Sequence, residues 1–247
     1  MAEPAKTPES LHEHEPGPRN TIGRRLRDII LGGQDGLVNV LGLVLGVAAA
    51  TAQARVIIVA GLAATFSESI AMAGVAYTSA LADRDYYRSE LAREKREIEE
   101  LPDLEREEVR QIFREKGLKG ETLERVVNEV TADKAVWLDL MMRDELHLTP
   151  VEGSLARRAL ITGVSTLIGS LIPLIPFFFA ATGGLSIGVA AWIAIPLSAV
   201  VLFGVGAYKA VTLVGDWRWS GLEMLLIGMV SAAAGYIIGR LLHVQGA

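Results

Sequence analysis

The chain of 247 residues contains no cysteine and only four histidines, and both scarcities limit its chemistry. Without cysteine there can be no disulfide framework, thiolate metal site or thiol redox chemistry. The histidines are His12, His14, His147 and His243, and all lie outside the long apolar segments. A zinc or copper site built on imidazole therefore cannot form inside those segments.

Motifs of several enzyme and pump classes are also missing. No glycine-rich phosphate loop is followed by Lys and Ser or Thr, which argues against an ATP-driven pump. No nucleophile–base pair or cofactor motif is visible, and the Glu-x-x-His pattern that a ferroxidase would need is lacking. We therefore expect neither an enzyme nor a prosthetic group.

Apolar residues are abundant instead: 51% of the chain is hydrophobic, and the mean hydropathy is +0.34. This composition is typical of a membrane protein. A helix that crosses a bilayer needs about 20 mainly apolar residues. Such segments cover about 28–54, 56–81 and 220–242, and the run 159–208 is long enough for two, divided at the TGG stretch 182–184. We predict an all-α membrane protein with five transmembrane helices.

Basic residues beside these spans predict the orientation. Lys and Arg concentrate before the first span, on both sides of the segment between spans 2 and 3, and between spans 4 and 5. By the positive-inside rule these regions are cytoplasmic, so the N-terminus lies inside and the C-terminus outside. Residues 1–20 are rich in Pro, Glu and polar residues and predict a disordered cytoplasmic tail. Residues 21–82 would hold spans 1 and 2, and 153–247 spans 3 to 5. With no organelle address visible, we expect a prokaryotic cell membrane.

The hydrophilic segment 83–152 predicts a cytoplasmic insert between spans 2 and 3. The stretch 83–158 holds 20 of the 29 acidic residues and 15 of the 24 basic ones, so a nucleic-acid partner is not expected. Its pattern predicts three helices. The first continues span 2 without a breaker as far as Pro102, giving a helix of about 45 residues. The second ends near 116–120, and the third runs over about 121–146.

Carboxylates inside the spans are the first candidates for chemistry. Glu68 lies in the apolar stretch GLAATFSESIAMAG, where a charge costs about 2.5–3.5 kcal/mol on insertion scales. Met72 follows one turn later, and Asp35 occupies a comparable place in GGQDGLVNVLG. Asp28 lies two turns before Asp35. These residues predict an ion path. The alternatives are a protonated Glu68 bonded to a neighbouring helix and, for Asp28, a solvated carboxylate beside nearby arginines.

The insert repeats carboxylates at helical spacing. Glu90, Glu94 and Glu97 share one face, as do Glu105 and Glu108, and a further cluster comprises Met141, Met142 and Glu145. Such charge runs are typical of a solvated face, and the pattern alone favours that interpretation. If the insert does bind a metal, carboxylates together with methionine suit Fe²⁺ and Mn²⁺ better than Mg²⁺ or Ca²⁺.

Five stretches in order resemble the vacuolar iron transporter family. They are DGLVNVLGLVLGVAAA, AMAGVAYTSALADRDYY, the acidic insert, GSLIPLIPFFF and KAVTLVGDWRWSGLEMLLIGMVSAAAGYIIGRLL. The resemblance covers nearly everything after the tail. It implies a homodimeric cation/proton antiporter that exports Fe²⁺, and Mn²⁺ as a further substrate, from the cytoplasm through a path at the subunit interface.

The resemblance also assigns residues. Asp35 matches the family's membrane aspartate, Met72 its membrane methionine, and Asp28 its acidic residue nearer the cytoplasm. The ligand positions of the family's cytoplasmic metal-binding domain fall on Glu94, Glu97, Glu105, Glu108, Met141, Met142 and Glu145, which reverses the interpretation from pattern alone. Many members carry a small residue in place of Glu68 and a Gly-Glu pair at 75–76, so the membrane glutamate lies about two turns earlier here.

Two other functions stay open at this point. The insert could act as a sensor that gates the path. Alternatively, the protein could be a membrane-anchored metal buffer that transports nothing, although Glu68 and Asp35 would then have no evident use.

Overall fold

A computed structural model describes residues 19–51, 53–151, 153–213 and 215–242, and in these ranges it contains helices and no strands. The helices are α1 (Arg19–Ala50), α2 (Ala54–Glu100), α3 (Pro102–Glu115), α4 (Gly120–Ala132), α5 (Lys134–Leu140), α6 (Leu155–Leu171), α7 (Ile175–Ala181), α8 (Ile187–Leu213) and α9 (Trp217–Leu241). A π-helical turn, Met141–Glu145, follows α5, and a 3₁₀ turn, Ile172–Leu174, joins α6 to α7. Most of the predicted tail, 1–18, and the histidines His12, His14 and His243 lie outside the described residues.

Five helical segments are long and apolar enough to cross a membrane, which confirms the predicted multi-pass all-α protein. They are Leu26–Ala50, Ala54–Glu100, Leu155–Ala181, Ile187–Thr212 and Trp217–Leu241. The third span is less regular than the sequence suggests. Pro173 and Pro176 each lack a backbone N–H, and the helix tightens into the 3₁₀ turn Ile172–Leu174, which contains Pro173 and ends before Pro176.

The chain divides into two compact units. One takes the described residues up to Ala76 and from Ala156 onward, and the other is Tyr77–Leu155. The first unit holds the spans around an apolar core drawn from α1, α2, α7, α8, α9 and the 3₁₀ turn. The core residues are Val40, Leu41, Val44, Leu45, Ile57, Leu174, Phe177, Ala190, Ala194 and Ala232.

Glycines bring the backbones of α1 and α9 into contact. A Cβ added to Gly46 would lie 2.8 Å from the carbonyl oxygen of Gly235, and one added to Gly42 would lie 3.0 Å from Ser231 Oγ. Small residues at helix interfaces permit this approach inside a membrane. Because the residue numbers rise together along both helices, α1 and α9 run parallel. This direction agrees with the four crossings, an even number, that separate the start of the first span from the start of the fifth.

The second unit has its own core, formed by Ile98, Val109, Leu123, Val127, Trp137 and Met141. The predicted third insert helix, 121–146, is wrong in one respect, because it breaks at Asp133 into α4 and α5. Asp133 Oδ1 accepts hydrogen bonds from the backbone N–H groups of Ala135 (2.8 Å) and Val136 (3.4 Å), and so caps the start of α5. The expected three helices therefore become four: the end of α2, α3, α4 and α5.

Candidate functional site

A polar cluster joins α1 and α2 inside the apolar spans. The Asn39 side-chain amide donates a hydrogen bond to Glu68 Oε1 at 2.6 Å. Asp35 lies one turn before Asn39 on α1, and its carboxyl interacts electrostatically with that of Glu68. Glu68 is half-buried, whereas Asp35 and Asn39 are exposed on the surface of the single chain. We call Asp35, Asn39 and Glu68 the intramembrane cluster.

One oxygen of Glu68 is held and the other is not. Glu68 Oε2 is enclosed, and no described residue forms a hydrogen bond with it. The next position, Ser69, turns into the helix packing and donates a hydrogen bond to the carbonyl oxygen of Thr65 at 2.6 Å. The Asn39 bond therefore fixes the carboxyl group and leaves Oε2 able to take a proton or an ion.

Asn39 was missed by the sequence analysis, which considered only carboxylates and methionine. Its position four residues after Asp35, on the same helix face, is the signal that could have found it. Met72 is half-buried one turn after Glu68 on α2. Its role in an ion path stays a prediction.

Asp28 is buried rather than solvated, with 6% of its surface exposed. Its partner comes from a distant part of the chain: Arg158 Nε lies 3.3 Å from Asp28 Oδ2, and Arg158 Nη2 lies 3.5 Å from Oδ1. The pair joins the start of α1 to the start of α6. An ion entering near Asp28 would therefore compete with a guanidinium for this carboxylate.

In the second unit, two of the predicted metal-ligating glutamates are buried. Glu94 is 2% exposed and Glu105 is 3% exposed, and no described residue forms a hydrogen bond with Oε2 of either. Burial, together with the charges of Glu108, Glu94, Glu145 and Glu97, raises the pKa of Glu105 to about 7. These five glutamates are therefore close enough to interact electrostatically.

Glu145 belongs to the same group but keeps contact with solvent. Partial burial and the charges of Glu108 and Glu94 also raise its pKa to about 7. Because solvent screens an exposed charge, Glu105 is the stronger case for a perturbed carboxyl group.

Arg93 is the counter-ion of this group on α2. Its guanidinium lies 2.9 Å from Glu90, 3.5 Å from Glu94 and 3.4 Å from Glu97. The interpretation of the insert as a charged face laced with arginine is therefore correct for the exposed side of α2. It does not account for Glu94 and Glu105, which are buried.

The two methionines of the insert are also buried, Met141 at 0% and Met142 at 2% exposure. Met141 packs into the insert core with Trp137 and Val109. Both methionines and Glu145 lie on the π-helical turn, a local distortion that is frequent at functional sites.

The predicted ligands of the insert do not surround a common metal position. Among the described residues, no three His, Cys, Asp or Glu side chains lie close enough together to hold one metal ion. Carboxylates repel one another when no cation lies between them. Their ligand roles therefore stay a prediction, and binding would require Glu94, Glu105 and their neighbours to move together.

Comparison with known proteins decides the family. The model of the VIT family matches residues 26–240, which cover all five spans and the insert between them. The chain belongs to the VIT family. This membership confirms the resemblance seen in the sequence.

Relatives of this VIT chain align along most of their length. A vacuolar iron transporter of Centaurea cyanus is 33% identical over 217 residues, covering 87% of each chain. Vacuolar iron transporter 1 of Oryza sativa subsp. japonica is 32% identical over 227 residues, covering 91% of this chain and 88% of its own. Protein CCC1 of Saccharomyces cerevisiae is 28% identical over 228 residues, covering 89% of this chain and 69% of its own.

Proposed function

We propose that this VIT-family protein carries Fe²⁺ and Mn²⁺ out of the cytoplasm across the membrane that it spans. The observation that carries the proposal is the intramembrane cluster of Asp35, Asn39 and Glu68. A charged side chain at the bilayer centre costs about 2.5–3.5 kcal/mol on insertion scales, so two neighbouring carboxyl groups there favour a function at membrane depth. The names of the plant relatives support iron as a substrate and transport rather than catalysis.

The donor atoms fit these ions. Carboxylate and amide oxygens from Asp35, Asn39 and Glu68 are hard ligands, and the Met72 thioether on the next turn of α2 is a softer one. A mixed set of this kind suits Fe²⁺ and Mn²⁺ better than Ca²⁺. The ions are the cargo of the site, so binding has to be reversible.

Protons are the coupling ion in this proposal. Two neighbouring carboxyl groups away from water favour holding a proton between them, since two adjacent negative charges repel. A divalent cation would displace that proton from Glu68 and Asp35. Reprotonation from a more acidic compartment would then release the metal, so metal leaving the cytoplasm is exchanged for protons entering it. Asn39 keeps Glu68 Oε1 oriented through both halves of the exchange.

The exposed side of the cluster supports a homodimer. Asp35 and Asn39 lie within a membrane span but on the surface of the single chain, where lipid would otherwise meet them. A second copy related by a two-fold axis would cover both residues. It would also double the oxygen ligands around one path, which gives a divalent ion a more complete set than one chain provides.

The insert would be cytoplasmic and bind metal before transport. The pKa of Glu105, about 7, means that protons and metal ions compete for this carboxyl group near neutral pH. Small changes in metal concentration or pH would then change its occupancy. The ligand set consists of Glu94, Glu97, Glu105, Glu108, Met141, Met142 and Glu145.

The proposal fixes a direction of transport and not a particular membrane. The relatives named above come from plants and a yeast, and the plant proteins carry vacuolar names, so they give no support to the prokaryotic cell membrane expected from the sequence. The basic residues beside the spans support a cytoplasmic N-terminus in either case.

A second candidate is a membrane-anchored metal buffer or sensor that transports nothing. The buried carboxyl groups of Glu94 and Glu105 favour it, because they would bind metal equally well without a path. Transport accounts in addition for the intramembrane cluster, and we therefore place it first.

Metal flux into liposomes distinguishes the transporter from the metal buffer. Purified protein is reconstituted, and Fe²⁺ and Mn²⁺ uptake is followed with and without a pH gradient for the wild type, Asp35→Asn and Glu68→Gln. Glu223→Gln is the matched control, since Glu223 is also a carboxylate on a span but lies outside the cluster. We expect gradient-dependent uptake that both cluster variants lose and the control keeps. Metal binding without uptake by the wild type would leave the buffer.

A further inference from the structure

A cavity in the membrane unit lies away from the intramembrane cluster. It has a volume of about 600 Å³ and opens between the end of α1, the start of α8 and the end of α9. Its walls are mainly small and apolar, with Leu45, Ala191 and Met229 as examples. None of the residues assigned to the ion path lines it. Its size falls in the range of pockets that hold small organic ligands.

Among the described residues that line this apolar cavity, one is a cation. Arg240 is exposed there, and no described carboxylate forms an ion pair with it. On its own helix the nearest acidic residue is Glu223, 17 positions earlier and therefore about 25 Å away along the axis. Helix α8 contains no acidic residue. Arginine in a membrane segment normally pairs with another group or reaches the interface, and neither α8 nor the nearby part of α9 supplies a carboxylate for Arg240.

Aromatic side chains mark the level of this cation in the bilayer. Trp192 is 77% exposed and Tyr236 is 47% exposed, and both line the same cavity as Arg240. Such amphipathic rings settle at the membrane–water interface, where lipid head groups lie. The C-terminal dipole of α9 explains why a basic residue suits its last turn. It does not explain the apolar cavity beside that residue.

We infer that this cavity binds an anionic phospholipid, with an acyl chain between α1, α8 and α9 and the phosphate paired with Arg240. The apolar walls match a hydrocarbon chain. The guanidinium matches a phosphate, with which it forms charge-assisted hydrogen bonds. On the cytoplasmic side of membranes, basic pockets between transmembrane helices bind anionic head groups by the same combination, and the predicted orientation places this cavity on the opposite side. A lipid supplies the charge and the apolar tail in one molecule.

Native mass spectrometry of the full-length protein tests this inference. Protein in detergent is mixed with equal amounts of phosphatidylglycerol and phosphatidylcholine, and the retained lipids are counted. We expect the wild type to prefer phosphatidylglycerol about fivefold, the effect of one arginine near the head groups. Arg240→Gln should retain the two lipids equally.

Two further variants distinguish lipid binding in the cavity from lipid attraction by any exposed arginine. Gly188→Leu should reduce retention of both lipids, because a Cβ at Gly188 meets no atom within 4 Å and the new side chain can extend into the cavity. Arg55→Gln should change nothing, since Arg55 is an exposed arginine at the start of α2 that does not line the cavity.

Equal retention of the two lipids by the wild type would overturn the inference, and so would a loss in Arg55→Gln as large as that in Arg240→Gln. The measurement does not depend on transport. A negative result would therefore leave the proposed function standing.

Discussion

The buried Glu105 carboxyl should make the stability of the insert depend on pH, and Glu105→Gln should remove part of that dependence. The folded unit raises the pKa of Glu105 from 4.5 to about 7 through burial and neighbouring carboxylates. Below about pH 4.5 the group is protonated in the folded and unfolded states, and folding carries no penalty. Between about pH 4.5 and pH 7 the unfolded state gives up this proton while the folded state keeps it, so the free energy of unfolding falls. Above pH 7 the loss of stability is complete.

The size of the effect follows from the same values. One pKa unit corresponds to about 1.4 kcal/mol, so the full penalty at alkaline pH is about 3 kcal/mol. Between pH 5 and pH 8 the loss is about 2.5 kcal/mol, since the unfolded chain has already begun to ionise at pH 5. Glu145 titrates in the same range and adds to the wild-type loss. The difference between wild type and Glu105→Gln isolates Glu105.

Hydrogen–deuterium exchange of the full-length protein, with a chelator present, measures this effect locally. Opening free energies of α3 amides, corrected for intrinsic rates, should fall between pH 5 and pH 8 in the wild type. The fall should be smaller in Glu105→Gln. Glu121→Gln is the matched control, because the Glu121 side chain on α4 is 90% exposed. An equal fall in the wild type and Glu105→Gln would refute the conclusion that Glu105 is a buried carboxyl group with a raised pKa.

Three further predictions concern the membrane unit. Asn39→Leu removes the hydrogen-bond donor to Glu68. Since a hydrogen bond to a charged group contributes about 1.5–3 kcal/mol, metal flux in liposomes should fall about 10- to 100-fold. Unchanged flux would show that Asn39 is not part of the path. Asp28→Asn and Arg158→Gln should each lower the free energy of unfolding by about 1–3 kcal/mol. In thermal unfolding, the double variant should lose less stability than the sum of the two single losses. Strictly additive losses would mean that the two residues are not coupled. Gly46→Leu should lower the melting temperature, because the new side chain forces α1 away from α9. Gly204→Ala should not, because a Cβ at Gly204 meets no atom within 4 Å. Equal effects of the two variants would contradict the close approach of the α1 and α9 backbones.

The spans were predictable because each depends on a local property. A run of about 20 apolar residues is visible without any knowledge of its neighbours, and so is a breaker such as Pro102, before which α2 ends at Glu100. The break at Asp133 was also readable, since aspartate is a preferred N-cap, but the amphipathic pattern continued through it and suggested one helix.

The pairings within the site could not be predicted in the same way. Asp28 meets Arg158 across 130 positions, and Glu68 meets Asn39 across 29, so both contacts depend on how the spans pack. The sequence identified two of these four side chains, Asp28 and Glu68, as candidates, but it did not identify the residue that partners either of them. Burial of Glu94 and Glu105 was likewise hidden, since their charge pattern is typical of a solvated helix face.

Proton movement driven by metal tests the central claim most directly. Liposomes containing the wild type, and a pH-sensitive dye in the lumen, are given Fe²⁺ or Mn²⁺ outside with no initial pH gradient, and metal uptake and lumenal pH are recorded together. Metal entry should drive protons out and raise the lumenal pH, and Glu68→Gln should abolish both signals. Metal entry without a pH change, or undiminished exchange in Glu68→Gln, would contradict the proposal that the intramembrane cluster exchanges metal for protons.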